Sequence, residues 1–104
     1  MTTPTYKLRF LPIFKDDLLE ITDYITDTLG NPTAAKKLVD DIEIAIDKRL
    51  ENPLIFAPYQ SSKIRKDTYY RIKVRNFFIF YVVIDHTMEI RRLIYSKRNI
   101  DGLL

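Results

Sequence analysis

The sequence has no cysteine, a single histidine and no long uninterrupted apolar segment. Without cysteine the chain can form no disulfide bond and can use no thiolate as a nucleophile. One histidine leaves a zinc site almost without its usual ligands, so we expect function without a metal or any other cofactor. No segment resembles a signal peptide or a transmembrane helix, and we therefore expect a cytoplasmic protein that does not associate with a membrane.

The 104 residues suffice for one domain, 1–104, with one hydrophobic core. The hydrophobic fraction of 46% and the charged fraction of 30% are those of an ordinary soluble globular protein. A single core of this size predicts a single functional site.

Charge is distributed unevenly along the chain. Residues 1–62 contain 7 Lys and Arg against 10 Asp and Glu, whereas residues 63–104 contain 10 against 4. The second half is therefore strongly basic and the first half acidic. A basic half is typical of proteins that bind nucleic acid or an acidic protein, and charge alone does not choose between the two.

The basic half is predicted to form three strands. Apolar and cationic residues alternate through Tyr70–Arg75, which is the pattern of a strand with one buried face. The apolar run Phe77–Ile84 predicts a central strand, and Met88–Tyr95 predicts a third strand. Turns at Arg75-Asn76 and at Asp85–Thr87 make these strands a meander. The alternation predicts that the exposed face of the sheet is wholly basic.

The acidic half is predicted to form a strand and two helices. Tyr6–Phe10 alternates as a strand, and apolar residues from Phe14 to Leu29 recur at helical spacing up to Gly30. A second helix starts at Asn31-Pro32, with Asn as the cap, and stops before Pro53. The link is so short that the two helices must be antiparallel. Asp16 and Asp17 are expected in the first turns of the first helix, at the positive end of its dipole.

The predicted fold is α+β: an N-terminal strand, an antiparallel helical hairpin and a C-terminal antiparallel three-stranded meander, in the order β-α-α-β-β-β. Residues 53–68 have no clear period and are expected to form a long connection, anchored by Ile55, Phe56 and Tyr59. The second half of this connection is basic. Its cations are expected beside the basic face of the sheet.

These segments in this order resemble the RelE/ParE superfamily, the toxins of bacterial type II toxin-antitoxin systems. The resemblance covers nearly the whole chain: a first strand, the helices DDLLEITDYI and NPTAAKKLVDDIEIAI, the LENP stop, and the strands YRIKVRNFFIFYVV and EIRRLIYSKRNIDGLL. It implies a compact RelE/ParE-like toxin that causes growth arrest and is neutralised by a cognate antitoxin protein. Operator DNA would be bound only through that antitoxin.

The resemblance implies two alternative activities. The long helical hairpin and the NID tail are similar to the ParE branch, whose members poison DNA gyrase. The cations are more similar to the RelE branch, whose members are mRNA interferases, endoribonucleases that cut mRNA in the ribosomal A site. Arg75 in IKVRN matches a RelE-type arginine that contacts the scissile phosphate, and Arg98 in SKRN matches a second one. Tyr95 stands where many family members have histidine, and no residue here matches the tyrosine near the RelE C-terminus.

Metal-free cleavage of RNA uses the 2′-OH as nucleophile and needs a base, an acid and cations for the charge on the phosphate. Arginine binds phosphate through a planar fork of donors. Tyr95 is the better candidate for proton transfer, because surrounding positive charge favours its phenolate. The candidate catalytic residues are thus Arg75, Tyr95 and Arg98, and the candidate substrate-binding residues are Lys63, Arg65, Lys66, Arg71, Lys73 and Lys97. No metal ligand is predicted.

Several of these residues also have a purely structural interpretation. Tyr95, at the end of a strand, is typical of an amphipathic residue at the rim of a core. Arg91 and Arg92 can lie along the sheet, or pair with Glu89 or with an acidic partner. His86 lies in a predicted turn and is not counted as catalytic.

Three functional hypotheses remain. The first, which the cations at matching positions favour, is a toxin that cleaves mRNA on the ribosome. The second is a ParE-type toxin that inhibits DNA gyrase without catalysis, and the third is a non-toxic RNA-binding domain. Under either toxin hypothesis we predict an antitoxin whose acidic, amphipathic segment folds along the helical hairpin and shields the basic sheet.

Overall fold

The computed structural model describes residues 5–61 and 63–104. Its elements, in chain order, are β1 (Lys7–Phe10), α1 (Pro12–Asp23), α2 (Pro32–Leu50), β2 (Tyr70–Val74), β3 (Phe77–Ile84), β4 (Thr87–Tyr95) and α3 (Ile100–Leu103). A single π-helical segment, Tyr24–Thr28, continues α1. The predicted α+β order is confirmed, and the short helix α3 is an addition that the sequence pattern did not predict. No helix in the described ranges is long and apolar enough to cross a membrane.

The four strands form one sheet in the order β1-β4-β3-β2. The meander β2-β3-β4 is antiparallel, as predicted, whereas β1 joins the outer side of β4 in parallel. This pairing is short, because β1 ends at Phe10 opposite Ile90. A β-bulge lies in β4, where Phe80 is paired with Arg92 but Tyr81 is paired with Ile90, so Arg91 is the extra residue.

Prolines start both long helices. Pro12 and Pro32 each occupy the first helical turn, where the missing N–H costs no hydrogen bond. Asn31 is the predicted cap of α2, and its side chain accepts a hydrogen bond from the Ala34 amide at 3.1 Å. Because α1 begins as early as Pro12, Asp16 and Asp17 lie beyond its first turn. The prediction that they stabilise the positive end of the helix dipole is therefore wrong.

Both helices lie on one face of the sheet. Ile72, Ile79 and Leu93 stand opposite one another across three strands and form one row of that buried face. The helices contribute Phe14, Leu38, Ile42 and Ile46 to the same core. Close packing of this face fixes the sheet against the hairpin, as the alternation of the strands and the 3.6-residue period of the helices predict.

The other face of the sheet is partly covered, so the prediction of a wholly basic exposed face is wrong. Phe80, which is paired with Arg71 and shares its face, is fully buried. It is covered by Tyr59 from the connection between α2 and β2, with ring centroids 5.2 Å apart. Ile55 and Phe56 are 58% and 59% exposed and do not anchor this connection as predicted.

Candidate functional site

The predicted catalytic residues lie at one end of the sheet. Arg75 is in the turn between β2 and β3, Tyr95 is the last residue of β4, and Arg98 follows it. Pairing of Phe77 with Tyr95 and a 2.8 Å hydrogen bond from the Ser96 amide to the Asn76 carbonyl hold the two chain segments side by side. The backbone therefore brings together the two segments that carry Arg75, Tyr95 and Arg98.

The side chain of Arg75 is engaged with α2. Its Nε and Nη2 atoms both donate to Oδ2 of Asp41, at 3.0 and 2.8 Å. Arg75 also has a positive φ of 55°, a conformation that a residue with a Cβ adopts only where its surroundings require it. The guanidinium is thus bound to a carboxylate of the helical hairpin.

Tyr95 lies at the edge of a groove. Its side chain is 38% exposed, and its ring packs against Phe77 with centroids 5.8 Å apart. The groove has a volume of about 680 Å³ and runs between the end of β4 and the π-helical segment, with Tyr24, Ile25 and Arg98 among its lining residues. The hydroxyl of Tyr95 has no hydrogen-bond partner within residues 5–61 and 63–104.

The predicted substrate-binding cations divide into two groups. Arg65 is held inside the structure, where it donates to the Asp101 carbonyl at 2.7 Å and to the Ser61 hydroxyl at 2.9 Å. The guanidinium of Arg71 lies over two rings, 4.5 Å from the Phe78 centroid and 5.3 Å from that of Tyr59. The remaining cations are exposed and make no ion pair with any described residue: Lys63, Lys66, Lys73 and Lys97.

A partly buried ion pair that no sequence pattern predicted joins α1 to β4. Asp17 accepts from Nε of Arg92 at 2.8 Å, from Nη2 at 3.1 Å and from the Leu93 amide at 3.0 Å. The Nη1 atom of Arg92 donates to the Leu103 carbonyl at 2.6 Å, and hydrogen bonding to Asp17 raises the pKa of the guanidinium. Nothing in the local sequence pattern signals that contact.

The other arginine of the bulge is also neutralised by carboxylates. Arg91 pairs with Glu89 at 2.8 Å and with Asp67 at 3.0 Å, and Arg9 also pairs with Glu89 at 3.0 Å. The expected pairing of Arg91 with Glu89 is thus confirmed. Glu89 is only 6% exposed, so its charge is neutralised inside the sheet.

A second missed cluster attaches the C-terminal turn to the connection. Asp101 accepts from the Tyr59 hydroxyl at 2.8 Å and from the Ser61 hydroxyl at 3.0 Å. Burial and the hydrogen bond to Asp101 raise the pKa of Tyr59. The partners are about forty residues apart in sequence, and no local pattern could have identified them.

The groove beside Tyr95 is lined by the cations Arg92 and Arg98 and by the carboxylates of Asp17 and Glu20, and Asp17 is bound to Arg92. The single histidine, His86, lies in the β3–β4 turn, at the opposite end of β3 and about 25 Å away along the strand. Its ring lies 5.8 Å from that of Tyr6. Among the described residues no group of three or more His, Asp or Glu side chains is arranged to hold a metal ion.

A family model and two solved structures match the chain. The family model of the ParE toxin of the type II toxin-antitoxin system, parDE, matches residues 8–100. The chromosomal ParDE TA system from P. aeruginosa has a similar structure, with a TM-score of 0.68 and 20% identity over 89% of this chain and 98% of that one. The RelB-RelE antitoxin-toxin complex from Methanococcus jannaschii gives a TM-score of 0.52 and 24% identity over 92% and 99%. No curated protein matches the chain.

Proposed function

Because the chain belongs to the family of ParE toxins of type II toxin-antitoxin systems, we propose that it arrests growth by binding DNA gyrase and inhibiting it without catalysis. The toxin function follows from the family. The choice of gyrase follows from the resemblance to the ParE branch and from the state of the residues that RNA cleavage would need.

The observation that carries this proposal is the match of the ParE toxin family model to residues 8–100, and the contact between Arg75 and Asp41 adds to it. An arginine that stabilises a scissile phosphate must offer its fork of donors to that phosphate. Here both nitrogens that face α2 donate to one carboxylate oxygen, with the shorter distance at 2.8 Å. Binding RNA at this arginine would first require this exposed ion pair to break, which adds a small preference, about 0–1 kcal/mol, for a toxin that does not cleave RNA.

The proton-transfer chemistry points the same way. A general base must be within hydrogen-bond reach of the proton it removes, and it is usually oriented by a third group. Tyr95 is the candidate base at this end of the sheet, and its hydroxyl has no orienting partner among the residues that the structure describes. The groove beside Tyr95 is lined mostly by apolar residues, which suits contact with a protein surface.

A cognate antitoxin is the other partner of this protein. Both similar structures are of toxin-antitoxin systems. We propose that the antitoxin uses an acidic, amphipathic segment that folds along the helical hairpin and extends to the unpaired cations of the sheet. Such coupled folding allows a disordered antitoxin to control a stable toxin.

A second candidate function is ribosome-dependent mRNA cleavage. It is favoured by the hydrogen bond between Ser96 and Asn76, because this contact holds the segments that carry Arg75, Tyr95 and Arg98 side by side. Under this alternative the ribosome or the mRNA would displace Asp41 from Arg75 and would orient Tyr95 in the assembled complex.

The two candidates are separated with the purified chain and two assays run in parallel. We expect the protein to inhibit plasmid supercoiling by gyrase and to leave mRNA intact in a translation reaction with ribosomes. New 5′ ends inside translated mRNA, together with undiminished supercoiling, would contradict the gyrase proposal. The purified toxin mixed with its antitoxin is the control, and it should be inactive in both assays.

A further inference from the structure

Six cations in the basic half of the chain form no ion pair with any carboxylate of the described residues. Of the ten Lys and Arg in residues 63–104, four form ion pairs in the described structure, and all four are arginines. The other six are exposed and form none: Lys63, Lys66, Arg71, Lys73, Lys97 and Arg98. The charge that is left over is therefore concentrated and accessible.

Four of these cations lie around the sheet face that is opposite the helices. Arg71 and Lys73 alternate with Ile72, which is buried against the hairpin, so both project from the opposite face. Lys63 and Lys66 belong to the connection whose Tyr59 covers that face, and the Tyr59 amide donates to the Tyr69 carbonyl at 2.8 Å just before β2. We call these four residues, Lys63, Lys66, Arg71 and Lys73, the basic face.

The basic face suits a phosphate backbone better than a protein surface. Alternate residues of a strand are about 6.6 Å apart, a separation comparable with that of successive phosphates. Arg71 is also fixed in place, since its guanidinium lies over the Phe78 and Tyr59 rings and needs little ordering on binding. A protein partner would require several apolar anchors; among the described residues β2 and β3 expose no large apolar side chain, and the connection exposes Ile64 beside Lys63.

We propose that the basic face contacts the phosphate backbone of duplex DNA, so that the toxin binds the gyrase–DNA complex more tightly than it binds gyrase alone. This inference rests on the proposed function for the role of gyrase, whereas the DNA contact itself can be measured without the enzyme. The acidic hairpin repels DNA and therefore orients the molecule with its basic face toward the duplex. The contact depends on the charge of the phosphates and does not distinguish one base sequence from another.

The test measures the binding of the full chain to a labelled 20-base-pair duplex by fluorescence anisotropy over a series of salt concentrations. The variant is K66Q/K73Q, which removes two unpaired cations of the basic face. The matched control is K36Q/K37Q, which removes two exposed lysines of α2 that likewise form no ion pair within the described structure. Both variants carry the same net charge, so only the position of the removed charge differs.

We expect K66Q/K73Q to bind the duplex more weakly and to lower the slope of log K against log salt concentration by about two, because each of the two lysines neutralises one phosphate. The K36Q/K37Q variant should keep the slope of the wild-type protein. In the supercoiling assay K66Q/K73Q should need more toxin for half-inhibition than the control variant. Equal slopes for the two variants, or a wild-type protein that does not bind the duplex, would overturn the inference and assign this face to an acidic protein segment.

These readouts also separate this inference from the proposed function. A wild-type protein that binds DNA through Lys66 and Lys73 but leaves gyrase active would support the DNA contact and contradict gyrase as the target. A protein that inhibits gyrase equally well as wild type and as K66Q/K73Q, with no binding to the duplex, would support the proposed function and overturn the DNA contact.

Discussion

The helical hairpin and the sheet use charge in opposite ways. The two helices and the link between them, residues 12–50, contain nine Asp and Glu against five Lys and Arg, and most of these acids are exposed. Within the part of the chain that the structure describes, Asp17 and Asp41 are the only acids of this segment in ion pairs, and both pair with arginines of the sheet side. On the sheet side most arginines are bound to carboxylates, and the unpaired charge is largely on lysines. The molecule thus presents an acidic side and a basic side that two arginines connect.

Arginine and lysine differ in role in this protein: arginines form the internal ion pairs, and lysines remain exposed. Every ion pair in the described structure is made by an arginine, and all nine lysines are exposed and form none. Arginine suits the structural task because its planar fork can bind a carboxylate and a carbonyl at the same time, as Arg92 does with Asp17 and Leu103. Lysine, a strongly hydrated point charge, remains available for partners.

Two ion pairs join the hairpin to the sheet, Asp17–Arg92 and Asp41–Arg75. Both are formed by an aspartate and an arginine, but they differ in how far they are exposed to solvent. The side chains of Asp17 and Arg92 are 13% and 19% exposed, whereas those of Asp41 and Arg75 are 37% and 40% exposed. The largest expected effect on stability is therefore at the less exposed ion pair, Asp17–Arg92. D17A should lower the free energy of unfolding by about 3 kcal/mol, since it leaves the Arg92 charge and the Leu93 amide without their partner. Urea denaturation followed by circular dichroism measures this value.

The control for this prediction is D17N, which keeps an acceptor for the Leu93 amide and should lose less stability than D17A. A loss of less than about 1 kcal/mol in D17A would mean that the pair is not buried in solution.

The next largest effect is expected at Tyr81, which joins the end of α2 to the sheet. Its hydroxyl donates to the Pro53 carbonyl at 2.6 Å and accepts from Arg49 at 3.0 Å, and the side chain is fully buried. Y81F leaves the Pro53 carbonyl without this donor and should lower the free energy of unfolding by about 1–2 kcal/mol. Y95F, at a half-exposed tyrosine, is the matched control and should leave stability unchanged in the same denaturation assay.

Tyr81 also predicts how stability depends on pH. Burial raises its pKa above the ordinary value of 10.0, although the hydrogen bond from Arg49 opposes this. Below about pH 10 the phenol is protonated in both states, and its contribution to stability is complete. As the pH rises further, the unfolded state loses the proton first, so stability falls. Thermal unfolding between about pH 8 and pH 11 should show a smaller alkaline loss in Y81F than in the wild type. Equal losses would refute this assignment.

A smaller effect on stability is expected at the exposed ion pair, Asp41–Arg75. D41A should lower the free energy of unfolding by about 0–1 kcal/mol, because solvent and salt screen an ion pair of this exposure. The neighbouring exposed residue Asp40, which forms no ion pair within the described ranges, provides the control variant D40A. If D41A lowered the free energy of unfolding as much as D17A, the two ion pairs would not differ in strength as their exposure predicts.

The smallest effect is expected for the candidate base. Y95F should inhibit gyrase within about twofold of the wild type, whereas loss of a general base would reduce a catalytic rate by about 10²–10⁴-fold. Dose–response curves in the supercoiling assay give this comparison. Loss of toxicity in Y95F with an unchanged fold would return Tyr95 to the list of catalytic residues.

Local patterns predicted the elements because those patterns depend on near neighbours. The period of the apolar residues located both helices, Asn31 and Pro32 identified the start of α2, and the alternation from Tyr70 to Val74 identified the faces of β2. The π-helical segment and α3 were missed, because the first continues a helical period and the second has only four residues.

The candidate site could be predicted only in part. In the meander the segment of Arg75 and the segment of Tyr95 meet at one end of the sheet, as the register shows. The partner of Arg75 could not be predicted, because Asp41 is one of several acids on the hairpin and tertiary packing selects it. The bulge at Arg91 had no local signal either, and it decides which carboxylates neutralise the two adjacent arginines.

We propose that this toxin acts by binding gyrase, and a labelling experiment in cells distinguishes this from action on the ribosome. The chain is induced briefly without its antitoxin, and incorporation of labelled thymidine and labelled methionine is followed in parallel. We expect thymidine incorporation to fall first, with an SOS response and intact mRNA. If methionine incorporation falls first and new 5′ ends appear inside translated mRNA, the claim is contradicted and the protein is a ribosome-dependent nuclease.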